Sequence, residues 1–405
     1  MGEMTKKPTV PAIRFKGFTD TWEQCELGAI IQAVQELTSD FENYPLYSLT
    51  IENGVTPKTE RYERSFLITK ETDLFKIVPE QCFVSNPMNL RFGAIGFNDS
   101  GKKVSVSGYY DVFSIDRGEC SNFWCVYLKT ANSLKRFDDV AIGSLIEKRR
   151  VHFSQLTEMS FPAPNMNEKK KLGEFFERLE RLITLHQRKL DKLHKVKRSL
   201  LERMFPRNGA NVPEIRFSGF TDAWEQRKLG DIGKARSGVG FPDADQGGVT
   251  GVPFFKVSDM NLDGNENEMT VANNYVTAEQ IADHRWSPIT ELPAIFFAKV
   301  GTAVMLNRKR LCRFPFLLDN NTMAYSLSPT KWDADFAKAL FGTIDLTSLV
   351  QVGALPSYNA GDVESMEIYL PSLLEQEQIG AYFKQLDHLI TLHQRKSKIG
   401  KMPLK

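Results

Sequence analysis

The hydrophobic positions between Asn167 and Met204 recur alternately four and three residues apart. This heptad spacing predicts a long helix with one apolar stripe. At 1.5 Å per residue the helix would be about 55–60 Å long, so we expect it to pack along another long helix. Pro206 ends the pattern. The stripe consists of Leu172, Phe176, Leu179, Ile183, His186, Leu190, Leu193, Lys197, Leu200 and Met204.

A second stripe of the same kind lies near the C-terminus, behind the same lead-in, because Pro371 matches Pro164 ahead of the first stripe. We expect the two helices to pack antiparallel, since each follows one of two similar domains related by a pseudo-twofold axis. His186 and His393 occupy equivalent positions, where polar residues fix the register of paired helices. The second stripe consists of Ile379, Phe383, Leu386, Ile390 and His393.

Outside the helices, residues 30–161 and 232–368 alternate short apolar runs with turns, as in QCFVSNP, VSVSGYYDVFSI, AIFFAKVG and TAVMLN. Such runs predict strands, and the strand-helix-strand alternation of a doubly wound sheet is absent. The sequence therefore predicts an α+β protein with two mixed α/β domains in tandem, separated and joined by two long antiparallel coiled-coil helices. The predicted boundaries are 1–164, 165–206, 207–371 and 372–405.

The chain also contains an internal repeat. The segment PAIRFKGFTDTWEQ at 11–24 returns as PEIRFSGFTDAWEQ at 213–226, and LITLHQRK at 182–189 returns at 389–396. The offset is about two hundred residues in both cases, so the duplication spans half the chain. The blocks between the repeats have unlike sequences. Two constant elements that frame two variable blocks suggest a frame that docks one common partner and blocks that read two different targets.

Composition limits the class of protein. With 405 residues, 41% of them hydrophobic and 25% charged, the chain has enough apolar material for two globular domains. It has neither an apolar run of about 18 residues nor an apolar leader at its start. We therefore expect a cytoplasmic protein.

Metal and redox chemistry are not indicated. The five cysteines form no CxxC pair and the six histidines are scattered, so neither a disulfide framework nor a zinc site is expected. A net charge of +2 is too small to indicate nucleic acid by itself, so any basic surface must be local.

One segment fits the nucleotide-binding pattern GxxxxGK, at Gly96 to Lys103. Lys103 stands where a P-loop needs Ser or Thr, and the strand-like VSVSGYY follows where a P-loop needs a helix N-terminus. A hairpin tip that presents two lysines to phosphates is the better interpretation. Asn86-Pro87-Met88 does not supply an amino-methylation motif either. No catalytic machinery is apparent, so we do not expect an enzyme.

Basic residues interleaved with turns and aromatic residues mark both variable blocks. Arg and Lys suit guanine edges and phosphates, and Asn suits adenine, so these clusters are candidate DNA contacts; a solvated hairpin turn is the alternative for each cluster. In the first block the candidates are Lys58, Arg61, Arg64, Arg91, Lys102, Lys103 and Tyr109. In the second they are Lys299, Asn307, Arg308, Lys309, Arg310 and Arg313, with 307–310 as a basic tip between two strand-like runs.

The repeated segments and their order along the chain resemble those of the specificity subunits of Type I restriction-modification systems. The resemblance covers the whole chain. It rests on RFxGFTDxWEQ in both copies, LITLHQRK in both copies, LLERMFP at 200–206, SGVGFPDADQGG at 237–248, LDNNTMAY at 318–325 and LPSLLEQEQIGAYF at 370–383.

The resemblance implies two target recognition domains, each reading one half of a bipartite, asymmetric DNA sequence, with the unread gap set by the paired helices. It also implies that catalysis belongs to other chains. Two methylation subunits would bind S-adenosylmethionine and methylate adenine, and restriction subunits using ATP and Mg²⁺ would join through them, leaving no cofactor on this chain. The residues expected to dock partners or form the spacer are Phe15, Phe18, Trp22, Phe217, Phe220, Trp224, Leu172, Phe176, Leu179, Ile183, His186, Ile379, Phe383, Leu386, Ile390 and His393.

Two other functions remain as alternatives at this point. One is a two-headed scaffold that binds protein ligands on a coiled coil, and the other is an NTPase using Gly96 to Lys103. The chain also departs from the family, because SKIGKMPLK follows Lys396 where a fuller helix is usual. Ser397 on the stripe, Gly400 and Pro403 predict that the second helix frays there.

Overall fold

The computed structural model describes residues 11–51, 54–58, 74–145, 148–207, 209–350 and 356–400, and only the backbone of 397–400. The chain divides into two compact units, Met1–Leu182 and Ile183–Lys405, called here the first and the second unit. The division falls within the long helix α4 (Met166–Arg203), so α4 contributes to both units.

The first unit consists of short strands and short helices around the start of α4. Its strands are β1 (Glu23–Glu26), β2 (Ile31–Ala33), β3 (Leu37–Thr38), β4 (Tyr47–Thr50), β5 (Gly54–Pro57), β6 (Phe75–Val78), β7 (Phe83–Ser85), β8 (Ile95–Phe97), β9 (Val104–Val106), β10 (Asp111–Ile115) and β11 (Ser160–Ala163). Its short helices are α1 (Ser121–Tyr127), α2 (Ala131–Val140) and α3 (Phe153–Thr157), with 3-10 turns at Leu27–Ala29 and Leu90–Phe92.

A four-stranded antiparallel sheet in the order β2-β10-β7-β8 forms the centre of the first unit. Phe83 of β7 stacks on Phe113 of β10, with ring centroids 5.4 Å apart. Trp124 of α1 and Phe137 of α2 are fully buried in the same core. Smaller sheets, β3-β6-β9 and β4-β5, lie beside it, and β1 pairs with β11.

The second unit has the same kind of composition. Its strands are β12 (Glu225–Lys228), β13 (Gly233–Ser237), β14 (Val252–Phe255), β15 (Tyr275–Val276), β16 (Ala294–Ala298), β17 (Lys309–Cys312), β18 (Leu317–Leu318), β19 (Thr322–Leu327) and β20 (Glu367–Leu370). Its helices besides the end of α4 are α5 (Leu229–Ile232), α6 (Ala278–Asp283), α7 (Ala334–Thr343), α8 (Ala360–Glu364) and α9 (Leu373–Gly400). Short 3-10 helices lie at Asp243–Asp245, Val257–Asn261, Thr302–Leu306 and Leu346–Leu349.

The two units share one topology although their blocks have unlike sequences. The second unit has a four-stranded sheet in the order β13-β19-β16-β17, which matches β2-β10-β7-β8 strand for strand. Strands β12 and β20 pair as β1 and β11 do. The predicted α+β class with two β regions is therefore confirmed, and the structure adds that both regions follow one plan.

The two long helices pack antiparallel, as predicted. Within the second unit Leu190 of α4 packs with Leu386 and Ile390 of α9. His186 of α4 contacts His393 of α9, and Lys197 of α4 contacts Asp387 of α9. Residue numbers therefore rise along α4 while they fall along α9, which is the antiparallel arrangement. Helix α9 continues through Ser397 to Gly400, where the sequence predicts that the helix frays; a single Ser costs a helix about 0.5 kcal/mol. Pro403 lies outside the described residues.

Two local predictions are wrong. TAVMLN was expected to be a strand, but Thr302–Leu306 is a 3-10 helix that connects β16 to β17. The segment from Gly96 to Lys103 was expected to be a hairpin tip, but β8 pairs with β7 whereas β9 pairs with β6. It is therefore a connection between two sheets, and Val104 of β9 and Val84 of β7 are buried in one apolar cluster to which both sheets contribute. Among the described residues, no helix has both the length and the apolar character needed to cross a membrane.

Candidate nucleic-acid interface

Each copy of the RFxGF repeat is fastened to the start of a long helix by an ion pair. Arg14 donates from Nε and Nη2 to the two carboxylate oxygens of Glu168, at 2.6 Å each, and Arg216 does the same to Glu375 at 2.7 Å. Both carboxylates are buried in the first turns of α4 and α9, where the helix dipole favours a negative charge. The bidentate geometry fixes orientation. The hydrogen bond that Arg14 donates to Glu168 raises the pKa of Arg14, and the one that Arg216 donates to Glu375 raises the pKa of Arg216.

A glycine in each long helix allows a short helix to begin close to it. A Cβ on Gly173 of α4 would lie 3.0 Å from the backbone nitrogen of Phe123, at the start of α1. A Cβ on Gly380 of α9 would lie 2.7 Å from the backbone nitrogen of Phe336, at the start of α7. These contacts seat the variable blocks on the long helices in the same way in both units.

Aromatic residues of the repeat complete the attachment. Phe15 packs edge-on against Phe175 of α4 at 5.5 Å, and Phe217 packs in the same way against Tyr382 of α9 at 6.0 Å. Phe18 and Phe220 are half-buried.

The two repeat tryptophans are anchored in equivalent places. Trp22 packs against Tyr127 of α1, and Trp224 packs against Phe336 of α7. In both indoles Nε1 is buried without a hydrogen-bond partner among the described residues. We call the two Arg–Glu pairs, the repeat aromatics, the paired strands β1–β11 and β12–β20, and the long helices the frame.

The frame leaves the same apolar positions open in both copies. The exposed pairs are Phe175 and Tyr382 (43% and 39% exposed), Leu182 and Leu389 (52% and 44%), and Leu185 and Leu392 (52% and 39%). By contrast, the stripe residues Ile379, Phe383, Leu386 and Ile390 are buried in the second unit and cannot meet a partner. The heptad stripes do not include the exposed leucines. Their presence in both copies of LITLHQRK is the sequence feature that could have predicted them.

In the second unit the candidate residues converge at one end of the four-stranded sheet. Strand β13 ends at Ser237, β16 ends at Ala298 and β19 begins at Thr322, and the register pairs Ala298 with Thr322. Lys299 donates its backbone N–H to the carbonyl of Asn321 at 2.9 Å. This end, comprising residues 237–240, 299, 307–309 and 319–321, is called the second edge.

The second edge also brings together two segments quoted for the family resemblance, 237–248 and 318–325. The N–H of Gly238 donates to the carbonyl of Thr322 at 3.0 Å, and that of Val239 donates to Leu318 at 2.9 Å. A Cβ on Gly238 would lie 1.8 Å from the carbonyl oxygen of Asp319, so only glycine permits this approach.

Most of the predicted basic tip serves to hold its own loop. Asn307 has a left-handed backbone, with φ of 50°. Its side-chain NH₂ donates to the carbonyl of Ile344 at 3.2 Å, and its side-chain oxygen accepts from the N–H of Leu346 at 3.1 Å. Lys309 donates to Asn307 and to the same carbonyl, and burial lowers its pKa to about 8. Arg308 is exposed and donates to Asn261 at 2.6 Å.

Two of the predicted arginines make contacts within the protein. Arg310 donates to the carbonyl of Asn265 at 2.6 Å, and burial lowers its pKa. Arg313 follows β17 at the opposite end of the sheet, where it pairs with Glu268 at 3.0 Å and Asp335 at 2.6 Å. Lys299 and Arg308 are thus the predicted cations that remain available at the second edge.

The matching end of the first sheet is different in character. Strand β10 begins at Asp111, which pairs with Ser85 at the end of β7. Tyr109, 45% exposed, lies on the turn just before β10, where the N–H of Tyr110 donates to Ser107 at 3.1 Å. We call this end, with residues 33–34, 86–91 and 107–111, the first edge.

The remaining candidates of the first block are dispersed. Arg91 lies at the first edge but is buried against Asp138 at 2.9 Å. Lys102 and Lys103 are exposed at the opposite end, on a loop held by Asn98, whose amide donates to the carbonyls of residues 78, 79 and 102. Lys58 is half-buried, and burial lowers its pKa. Arg61 and Arg64 lie outside the described residues.

Other chemistry finds no support in the described part of the chain. The loop at 98–103 leads into strand β9, so it lacks the helix N-terminus on which a P-loop depends. No group of three or more His, Cys, Asp or Glu that could hold a metal occurs among the described residues. No cofactor site is evident there either.

Comparison with known proteins finds one matching family model and solved structures with a similar fold. Residues 221–399 match the model of the Type I restriction modification DNA specificity domain. The fold is similar to that of a Type I restriction-modification S subunit from M. genitalium, with 13% identity, a TM-score of 0.56, and coverage of 98% of this chain and 96% of that one. A chain from a structure on complex assembly and conformational transition of the Type I system has 13% identity, a TM-score of 0.52, and coverage of 96% and 95%.

At this identity the solved structures show a common fold. No curated protein sequence matches the chain. The family model begins within the second repeat and covers the second block and most of α9. The second unit therefore contains a Type I restriction modification DNA specificity domain, and the first unit repeats its frame and topology.

Proposed function

We propose that the chain reads a bipartite, asymmetric DNA sequence, with one half-site for each unit. The observation that carries this proposal is that one frame and one sheet topology occur twice, while the two edges present different side chains. Identical scaffolds position their edges alike with respect to their own frames. Different residues at those edges then read different bases, which makes the target asymmetric.

Lys299 and Arg308 are the proposed cations of the second edge, and Tyr109 is the proposed reader of the first. The cations can bind phosphates or guanine edges, and tyrosine can donate to a phosphate or pack on a base. Lys102, Lys103 and Lys58 would serve as more distant phosphate contacts in the first unit. Phosphate contacts of this kind position the protein on the duplex, and base contacts specify the sequence.

The paired helices are proposed to set the number of unread base pairs between the half-sites. Because a helix has a fixed rise per residue, its length becomes a fixed distance along the DNA. The buried contact of Leu190 with Leu386 and Ile390, and the ion pair of Lys197 with Asp387, support a pairing of defined register in the second unit.

Two methylation subunits are proposed to dock on the frame, one on each copy. The exposed pairs Phe175/Tyr382, Leu182/Leu389 and Leu185/Leu392 support this proposal, because one partner surface requires one repeated docking surface. Those subunits would bind S-adenosylmethionine and flip the target adenine out of the duplex. Restriction subunits with ATP and Mg²⁺ would join through them, in the cytoplasm.

The test is a modified-base map of DNA from cells that carry this chain with a matching methylation subunit, against cells that lack only this chain. The proposal predicts methyladenine at an asymmetric two-part motif with an unread gap. Co-purification of the two proteins without any new motif would contradict the bipartite reading. Failure to co-purify would contradict the docking proposal.

A further inference from the structure

A rigid turn closes the second edge directly before the central strand β19. The N–H of Thr322 donates to the carbonyl of Asp319 at 3.0 Å. The Asp319 carboxylate accepts from the backbone and the side chain of Asn321, at 3.2 and 3.3 Å. Asp319 itself is buried, and its N–H donates to the carbonyl of Phe255 at 3.0 Å. The turn is thus held from both sides without the side chain of Asn320.

The Asn320 side chain is therefore available for a ligand. Asn320 is exposed and makes no hydrogen bond to another described residue, whereas the amides of Asn307 and Asn321 are both engaged within the protein. A carboxamide offers one acceptor oxygen and a donor NH₂ in one plane. Because the backbone beneath it is fixed, only side-chain freedom is lost when it binds.

Positive charge lies near this tip. Lys299 follows β16, and its N–H is bonded to the carbonyl of Asn321. Lys256 follows Phe255, whose carbonyl accepts from the N–H of Asp319. The Lys256 ammonium donates to Gln246 at 2.6 Å, and its charge lowers the pKa of Asp319, although burial raises that pKa overall. A free amide near two cations suits a base edge flanked by phosphates, because the cations hold the backbone while the amide contacts the base.

The first unit has an equivalent turn in the same topological place. Residues 107–110 precede β10 as residues 319–322 lead into β19, and each turn has an i to i+3 hydrogen bond. Tyr109 is the exposed aromatic side chain of the first turn. In the second turn Asn320 and Asn321 are both exposed, and the amide of Asn321 is bonded to Asp319. Two different exposed residues at the same position of one topology mark a point where the two units would differ in what they read.

We propose that Asn320 is a base-reading residue of the second unit and that it recognises an adenine in the major groove. Adenine presents an acceptor at N7 and a donor at N6, which match the NH₂ group and the oxygen of a carboxamide. No other base edge in the major groove uses both groups of an asparagine in this way. The inference rests on the proposed function of the second unit.

The test uses the full chain co-purified with a matching methylation subunit. Binding is measured to duplexes that carry the wild-type motif, with each base pair of the second half-site changed in turn. Asn320→Ala should lose about 5- to 150-fold of discrimination at one A·T pair and leave the other positions unchanged. Asn320→Asp should shift preference at that pair towards cytosine, whose N4 donates to a carboxylate. Lys299→Ala is the control, because loss of a phosphate contact should weaken all duplexes alike.

The outcomes separate this inference from the function on which it rests. If Asn320→Ala keeps full discrimination at every position, or weakens all duplexes alike as Lys299→Ala does, Asn320 does not read a base. If the wild-type complex selects no two-part motif, the proposed function itself is wrong. Equal melting temperatures of the variants and the wild type exclude a folding defect. We expect them to be equal, because the bonds that hold the turn do not involve the Asn320 side chain.

Discussion

The two units use the same construction up to the edge of the sheet and differ at that edge. Both attach an Arg to a buried Glu at a helix start, seat a short helix on a glycine and centre a sheet of one strand order. At the edge, the first unit exposes Tyr109, whereas the second exposes Asn320 and Arg308. Under the proposed function, attachment therefore belongs to the shared frame and recognition to the edge at which the two units differ.

The frame also explains how the blocks can diverge so far in sequence. In both units the first residue after the repeat strand donates its N–H to a methionine carbonyl at 2.9 Å, from Leu27 to Met159 and from Leu229 to Met366. The block enters and leaves the frame at the same two points. Its interior needs only to conserve buried apolar positions, so its exposed turns are free to change.

The largest expected effect comes from breaking the frame. Arg216→Met leaves the carboxylate of Glu375, which is 1% exposed, without its partner. Stranding a buried charge of this kind costs about 3–5 kcal/mol, and calorimetry should show the loss in the second unit. Arg14→Met should destabilise the first unit in the same direction. Arg198→Ala is the control, because Arg198 forms an exposed pair with Glu202, and its melting temperature should change little. Equal melting temperatures of all three variants would contradict a structural role for the frame pairs.

The packed face of the helix pair should be the next most sensitive. Leu190→Ala removes a buried side chain between Leu386 and Ile390, and the expected loss is about 2–3 kcal/mol in the free energy of unfolding. Chemical denaturation of the full chain would measure it. An unchanged unfolding midpoint would mean that the helices do not depend on this contact.

The open face of the frame should respond differently. Leu185→Ala and Leu392→Ala remove exposed side chains at equivalent positions, so stability should hardly change. If methylation subunits dock there, each variant should reduce the number of subunits that co-purify, and the double variant should reduce it most. Retention of two methylation subunits by the double variant would move the docking site elsewhere.

The salt dependence of DNA binding should distinguish available from engaged cations. Lys299→Ala and Arg308→Ala should each reduce the slope of log K against log salt by about one unit. Arg313→Ala should leave the slope unchanged, because Arg313 is already paired with Glu268 and Asp335. Titrations at several salt concentrations would also expose a protein-binding scaffold, for which all slopes would be flat.

The smallest expected effect is on the pH dependence of the helix pair. Burial, with Lys189, His186 and Lys396 nearby, lowers the pKa of His393, whose Nδ1 lies 3.0 Å from that of His186. The unfolded chain therefore binds this proton more tightly, and stability should fall as the pH drops through about 6.5. His393→Asn should flatten that fall in denaturation curves between pH 5 and 8. An equally steep fall in the variant would assign the effect to another group.

The sequence predicted the helices and the class well because both depend on regular patterns. The predicted helix at 165–206 begins one residue before α4 and ends three residues after it, and the alternation of apolar runs with turns indicated an α+β protein. The repeats indicated that the frame occurs twice. Each of these signals is periodic or duplicated, so it survives without knowledge of tertiary contacts.

The candidate site was harder to predict from the sequence than the fold, and individual residues show the physical reasons. A basic residue in a turn can bind DNA or satisfy a carbonyl, and sequence does not distinguish Arg308 from Lys309, which bonds Ile344. Lys103 and Tyr109 are six positions apart but lie at opposite ends of the sheet, because β9 crosses between them. Asn320 is uncharged, so a pattern of basic residues does not include it. Its side chain is seen to be available only once the hydrogen bonds of its neighbours are known.

The most direct test of the central claim is the motif read by a chain that carries the first block twice. Residues 27–159 would replace residues 229–366, so that both junctions coincide with the shared N–H to carbonyl contacts of the frame. A modified-base map of cells that express this chain with a matching methylation subunit should show a symmetric two-part motif, built from the first half-site and its inverted copy. A folded complex that still reads the original asymmetric motif would contradict the claim that each unit reads its own half-site through its edge.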